Sequence, residues 1–181
     1  MSQSNKSFNS PTRQSMPAKQ AQILETGRAL FWKHGTKRVS VEEICRESGV
    51  SKMTFYRYYA NKNELIKEVL TLMLDESMAD YRELMARDIS FKAKMEEIVR
   101  LKFEGSQIVS EEFAKDIFFV ADPEIKIVFT QASAKIMEEL MANFKEAQAQ
   151  GWMRDDIKPG FIMYMMEAMR EQYFDEKLRT M

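Results

Sequence analysis

Four side chains suited to touching nucleic-acid bases lie within six residues: Lys52, Met53, Thr54 and Arg57. At about 100° per residue in a helix, Phe55 and Tyr59 share one arc, the natural core side. Met53, Thr54 and Arg57 occupy the opposite arc. Lys52 projects from the N-terminal tip, and Tyr56 and Tyr58 flank the outward face. A helix of this kind fits a DNA major groove, where Lys or Arg can pair with a guanine edge and Thr or Met can touch a thymine methyl. Hydroxyls, a helix N-terminus and an ammonium suit phosphate oxygens, which makes Ser40, Tyr56, Tyr58 and Lys62 candidates for the sugar–phosphate backbone. Taken singly, each tyrosine could equally be an ordinary packing aromatic. Clustered beside Arg57 and Lys52, they fit a polyanion better.

The elements that must position these residues can be read from local signals. Ser40 and Glu43 form an S-x-x-E capping box, in which each side chain satisfies a backbone N–H left open at a helix start. Val41, Ile44, Cys45 and Ser48 follow at helical spacing, so one face is apolar or small. Gly49 supplies a left-handed residue that ends this helix, and Ser51 caps the next, which runs through Tyr59. Asn61 and Glu64 repeat the capping logic for a longer helix behind. Two short helices around a glycine corner make a helix-turn-helix.

The run Gly-Val-Ser-Lys-Met-Thr-Phe-Tyr-Arg-Tyr-Tyr-Ala-Asn-Lys-Asn-Glu-Leu, from Gly49 to Leu65, resembles the recognition segment of the TetR family of bacterial transcriptional regulators. Ile23-Leu24 through Ala29-Leu30-Phe31, then Gly35, resembles that family's first helix and its end. The resemblance covers roughly residues 18–70 and implies a DNA-binding front domain that acts on double-stranded operator DNA. It further implies a rear helical domain for a small effector and for pairing as a homodimer. Regulators of this kind commonly pair through their last two helices. Here the sequence reaches Met181 soon after an eighth helix, so pairing is expected either to use the seventh and eighth helices differently or to lack part of that interface.

Composition narrows the function classes. Residues 1–62 hold 11 Lys and Arg against 4 Asp and Glu, whereas residues 63–181 hold 16 against 24. A basic front meets polyphosphate, and an acidic rear stays off it. Cys45 is the single cysteine of the 181 residues, which leaves no disulfide framework or CxxC site within the chain. The first 16 residues have no apolar run, and later apolar runs are too short to cross a bilayer, so a soluble, cytoplasmic protein with no membrane partner is expected. His34 is the only histidine, which excludes a histidine-based triad or metal site in the rear. None of the six glycines makes a nucleotide-binding fingerprint. The acidic groups Glu111-Glu112 with Asp116, and Asp155-Asp156, read as solvated helix and turn charges. No cofactor is expected, and the reading is not an enzyme.

The expected fold class is all-α: a disordered arm (1–15), a three-helix N-terminal helix-turn-helix domain (16–61), then a helical effector-binding and dimerisation bundle (62–181). Pro17 opens the first helix, Ser90, Ser110 and Asp122-Pro123 start later ones, and Pro159 starts the last. Inward positions are expected to include Val99 in the fifth helix and Ile162, Met165 and Met166 in the last. Twelve of the fifteen methionines lie after residue 63, and methionine adapts to irregular cavity walls. Phe91, Met95, Phe103, Phe118, Phe129, Met137, Met165 and Met166 are therefore candidate walls of a pocket for a largely apolar effector, with solid core as the plainer reading of each. The function expected is a sequence-specific transcriptional repressor released from its operator by that effector. A regulator without a ligand, controlled by a partner protein, is the alternative. An enzyme or carrier on a borrowed scaffold would bind ligand but not DNA.

Overall fold

The computed structural model describes residues 16–106, 109–118 and 122–172. The expected arm, residues 1–15, lies outside them. Among the described residues the elements are helices, with no strand: α1 (Ala18–His34), α2 (Val41–Ser48), α3 (Lys52–Tyr58), α4 (Lys62–Ala86), α5 (Phe91–Ser106), α6 (Glu111–Phe118), α7 (Pro123–Ala149) and α8 (Pro159–Gln172).

The starts of α2 to α7 each have a local chemical cause. The Ser40, Ser51 and Asn61 side-chain oxygens each accept the backbone N–H three residues on, at 3.1 Å. Ser90 and Ser110 do the same for α5 and α6, at 3.2 Å. Asp122 accepts from Glu124 N–H at 2.9 Å, with Pro123 in the first turn of α7. These bonds satisfy donors that a helix start leaves open. The α2 corner is Gly49, at φ 66° and ψ 27°, and Val50 N–H then closes onto Cys45 O at 3.0 Å.

The front core is fully sealed. Phe31, Val39, Ile44, Phe55 and Leu65 are each 0% exposed, so α1, α2, α3 and the first turns of α4 share one apolar centre. A partly buried charge cluster joins α1 to α4: Arg28 reaches Glu76 at 3.1 Å and Glu25 at 2.9 Å, with its guanidinium over the Trp32 ring. Behind this, α4 lies along α7, and Arg82 meets Glu139 on that seam. The Gln148 amide donates to Arg154 O and Ile157 O, both at 2.7 Å, and so shapes the turn into α8.

Two expected inward positions are not inward. Val99 is 68% exposed, and Met165 is 42% exposed while Met163 is buried. In α8 the cause is plain: 161, 164 and 165 lie on one arc and 162 and 163 on the other. Both arcs are apolar, so periodicity could not say which faces α7.

Candidate nucleic-acid interface

The outward surface of α3 is built from beneath. Phe55 is wholly buried and meets Tyr59 at 5.6 Å between ring centres and Tyr56 edge-on at 5.4 Å. Tyr59 is buried too, and burial together with the Glu68 carboxylate pushes its phenol well above the usual tyrosine range. This second anchor stays neutral. With both rings held, the other arc of α3 faces solvent: Met53 is 83% exposed, Tyr56 53%, and Lys52 and Arg57 are exposed as well. The Arg57 guanidinium lies over the half-buried Tyr58 ring at 5.3 Å, which holds the long side chain along the surface.

The remaining candidates are partly occupied by the protein itself. Thr54 is half-buried, and its hydroxyl lies 3.0 Å from the Ser51 hydroxyl. Ser40 is exposed; its oxygen caps α2, and its hydroxyl also hydrogen-bonds to the Glu42 carboxylate. The Lys52 ammonium is paired with Glu42, which raises the pKa of Lys52 and lowers that of Glu42. That pair is well exposed and open to competition from a phosphate or a base.

Lys62 differs from the other candidates. Its ammonium donates to Thr36 O at 2.7 Å, Val39 O at 2.8 Å and Lys37 O at 3.4 Å. Its three donors are spent on the α1–α2 turn, and burial lowers its pKa against the opposing pull of Asp116. Asp116, read from sequence as a solvated charge, is not one. It accepts from the Thr36 hydroxyl and the Lys37 N–H at the same turn. Neither contact leaves a local trace, because the partners are 23 to 80 residues apart in the chain.

The pocket candidates are spread through the rear. Met95 and Met137 are half-buried; Phe91 is half-buried against Trp152, with ring centres 6.1 Å apart; Phe129 packs on the main core; and Met165 faces out. The side chains of Phe103, Phe118 and Met166 lie outside the described residues. An open cleft of about 550 Å³ does occur, lined by Tyr58, Tyr59, Glu64, Lys67, Glu68 and Val128 among others, and includes none of the eight. Among the described residues no group of three His, Cys, Asp or Glu could hold a metal ion, and no helix is long and apolar enough to cross a membrane.

A sealed three-helix head that presents one polar helix face is a helix-turn-helix arrangement. Residues 23–69 match the family profile of the bacterial regulatory proteins of the tetR family. The matched span runs from within α1 through α2 and α3 into α4. It is 22% identical over 128 residues to the HTH-type transcriptional repressor KstR2 of Rhodococcus jostii, a match that covers 71% of this chain and 60% of that one. It is 23% identical over 131 residues to the HTH-type transcriptional regulator BetI of Agrobacterium fabrum, covering 70% of this chain and 64% of that one. The matched span is thus less than two thirds of either relative's length. In fold, it superposes on the fatty acid degradation regulator FadR of Bacillus halodurans with a TM-score of 0.72 at 16% identity, over 87% of this chain and 82% of that one.

Proposed function

We propose that the protein is a sequence-specific DNA-binding repressor of transcription, not an enzyme, that acts in the cytoplasm as a homodimer. The observation that carries this reading is the outward face of α3, with Lys52, Met53 and Arg57 exposed over the buried Phe55. In this reading Lys52, Met53, Thr54 and Arg57 meet base edges in the major groove, and Ser40, Tyr56 and Tyr58 meet phosphates. Lys62 serves the interface indirectly, as the clamp on the α1–α2 turn. The exposed arc of α8, with Phe161, Tyr164 and Met165, is the surface a second copy would cover. Pairing would set two α3 helices about 34–36 Å apart, in successive major grooves of a pseudo-palindromic operator.

Release by a largely apolar effector is part of the proposal. It is supported by the methionine-rich rear helices and by one structural neighbour being a regulator of fatty acid degradation. An effector can act only through unequal affinity for two states of the dimer. Selecting DNA from a random pool with the full chain tests the central reading: one pseudo-palindrome should be enriched, and equal recovery of all sequences would overturn it. Adding oleate to the complex is a first probe of the effector. Release supports the apolar class, whereas an intact complex across a panel of apolar compounds would favour control by a partner protein.

A further inference from the structure

The α1–α2 turn, residues 35–39, is held from two sides by elements distant in the chain. On one side is α6: Ser110 N–H donates to Trp32 O at 2.8 Å, at the end of α1. Asp116 Oδ2 accepts from the Thr36 hydroxyl at 3.2 Å and from Lys37 N–H at 2.9 Å. On the other side is α4, whose Lys62 ammonium takes the carbonyls of Thr36 and Val39. The donors of the turn thus meet a carboxylate, and its acceptors meet an ammonium.

Closeness enforces the arrangement. Gly35 sits at φ 77° and ψ 164°, a region essentially closed to residues with a Cβ. A Cβ there would stand 2.8 Å from Asp116 Oδ2 and 3.1 Å from Glu112 Cβ. Thr36 is 6% exposed, so its hydroxyl could not readily exchange Asp116 for water. A displacement of α6 must therefore carry the turn with it or break these bonds. Val39 anchors the far end of the turn in the front core, and α2 and α3 follow directly.

We propose that Asp116 is a positioning residue for DNA recognition. By clipping the 35–39 turn to α6 it fixes how α2 and α3 stand relative to the rear helices, and so which spacing of operator half-sites a dimer accepts. The inference rests on the proposed function and adds a residue that touches no DNA. A residue that merely stabilised the fold would change melting and overall affinity but leave the spacing preference alone.

The test uses the full chain and an operator selected by the unaltered protein, remade with the half-sites one base pair closer and one further apart. The unaltered protein should lose on the order of tenfold in affinity at each altered spacing, the scale of one mismatched base pair. Asp116→Ala should lose less than about threefold, and Asp116→Asn, which keeps an oxygen acceptor, should retain the preference. Thr36→Val removes one bond at nearly constant volume and carries the test if Asp116→Ala does not fold; it should also widen the tolerated spacing. Variants that keep the helical content and the spacing preference of the unaltered protein would overturn the clip while leaving the repressor reading intact. Failure of the unaltered protein to select any sequence would overturn both.

Discussion

The front three helices and the rear bundle handle apolar surface in opposite ways. The head closes on itself: five of its large core side chains are wholly buried, two of its three helix starts are capped by serine side chains, and what it leaves outside α3 is mainly polar. The rear leaves apolar side chains in solvent, among them Val99, Ile127, Trp152, Phe161 and Tyr164. A sealed unit can present a fixed surface to a rigid partner such as duplex DNA. A bundle with uncovered apolar arcs is finished by something else, in our proposal a second copy and an apolar effector. Rigidity belongs where sequence is read, and adaptability where the signal enters.

The sharpest way to break this contrast is to hollow out the head. Phe55→Ala removes a fully buried ring and should cost about 3–5 kcal/mol, seen as loss of the cooperative thermal transition of the head together with loss of DNA binding. A cost below about 1 kcal/mol would mean that the head is not the tight unit described. Arg28→Ala leaves the Glu76 carboxylate short of its guanidinium in a site where the two side chains are only 14% and 11% exposed. Partial solvent contact places the expected cost at about 2 kcal/mol, below the range for a fully buried pair, measurable by denaturant unfolding.

In the rear the same kind of truncation should act on assembly and spare the fold. Phe161→Ala and Tyr164→Ala should each weaken dimerisation by about 2 kcal/mol, the scale of an interface anchor, as read by sedimentation equilibrium. The melting of the monomer should hardly move, because neither side chain is buried in it. Loss of monomer stability with no change in association would reverse the contrast. The smallest effect belongs to a cap: Ser51→Ala removes the acceptor for Thr54 N–H at the start of α3 and should cost about 1 kcal/mol by thermal unfolding.

What could be read from the chain follows the range of the interactions. Ser40, Ser51, Asn61 and Asp122 act on N–H groups two or three residues away, so each helix start was visible in the sequence. The outward arc of α3 was visible for the same reason, because Phe55 and Tyr59 fall one turn apart and fix which side is inside. The Asp116 clip and the carbonyl clamp of Lys62 were not, since both depend on tertiary approach across long stretches of chain. A lysine next to a cap looks like a phosphate ligand until the carbonyls it meets are known. Met165 and Met163 show the other limit: on a helix apolar on both faces, the sequence pattern cannot choose the inner one.

The central claim is that the outward face of α3 reads base sequence, and Arg57 tests it most directly. The affinities of the unaltered protein and of Arg57→Ala for the selected operator and for a scrambled duplex should be compared at one salt concentration. The account predicts that Arg57→Ala loses about 1–3 kcal/mol on the operator and far less on the scrambled duplex, with discrimination relaxed at one base pair in each half-site. An equal loss on both duplexes, or no loss on either, would contradict it.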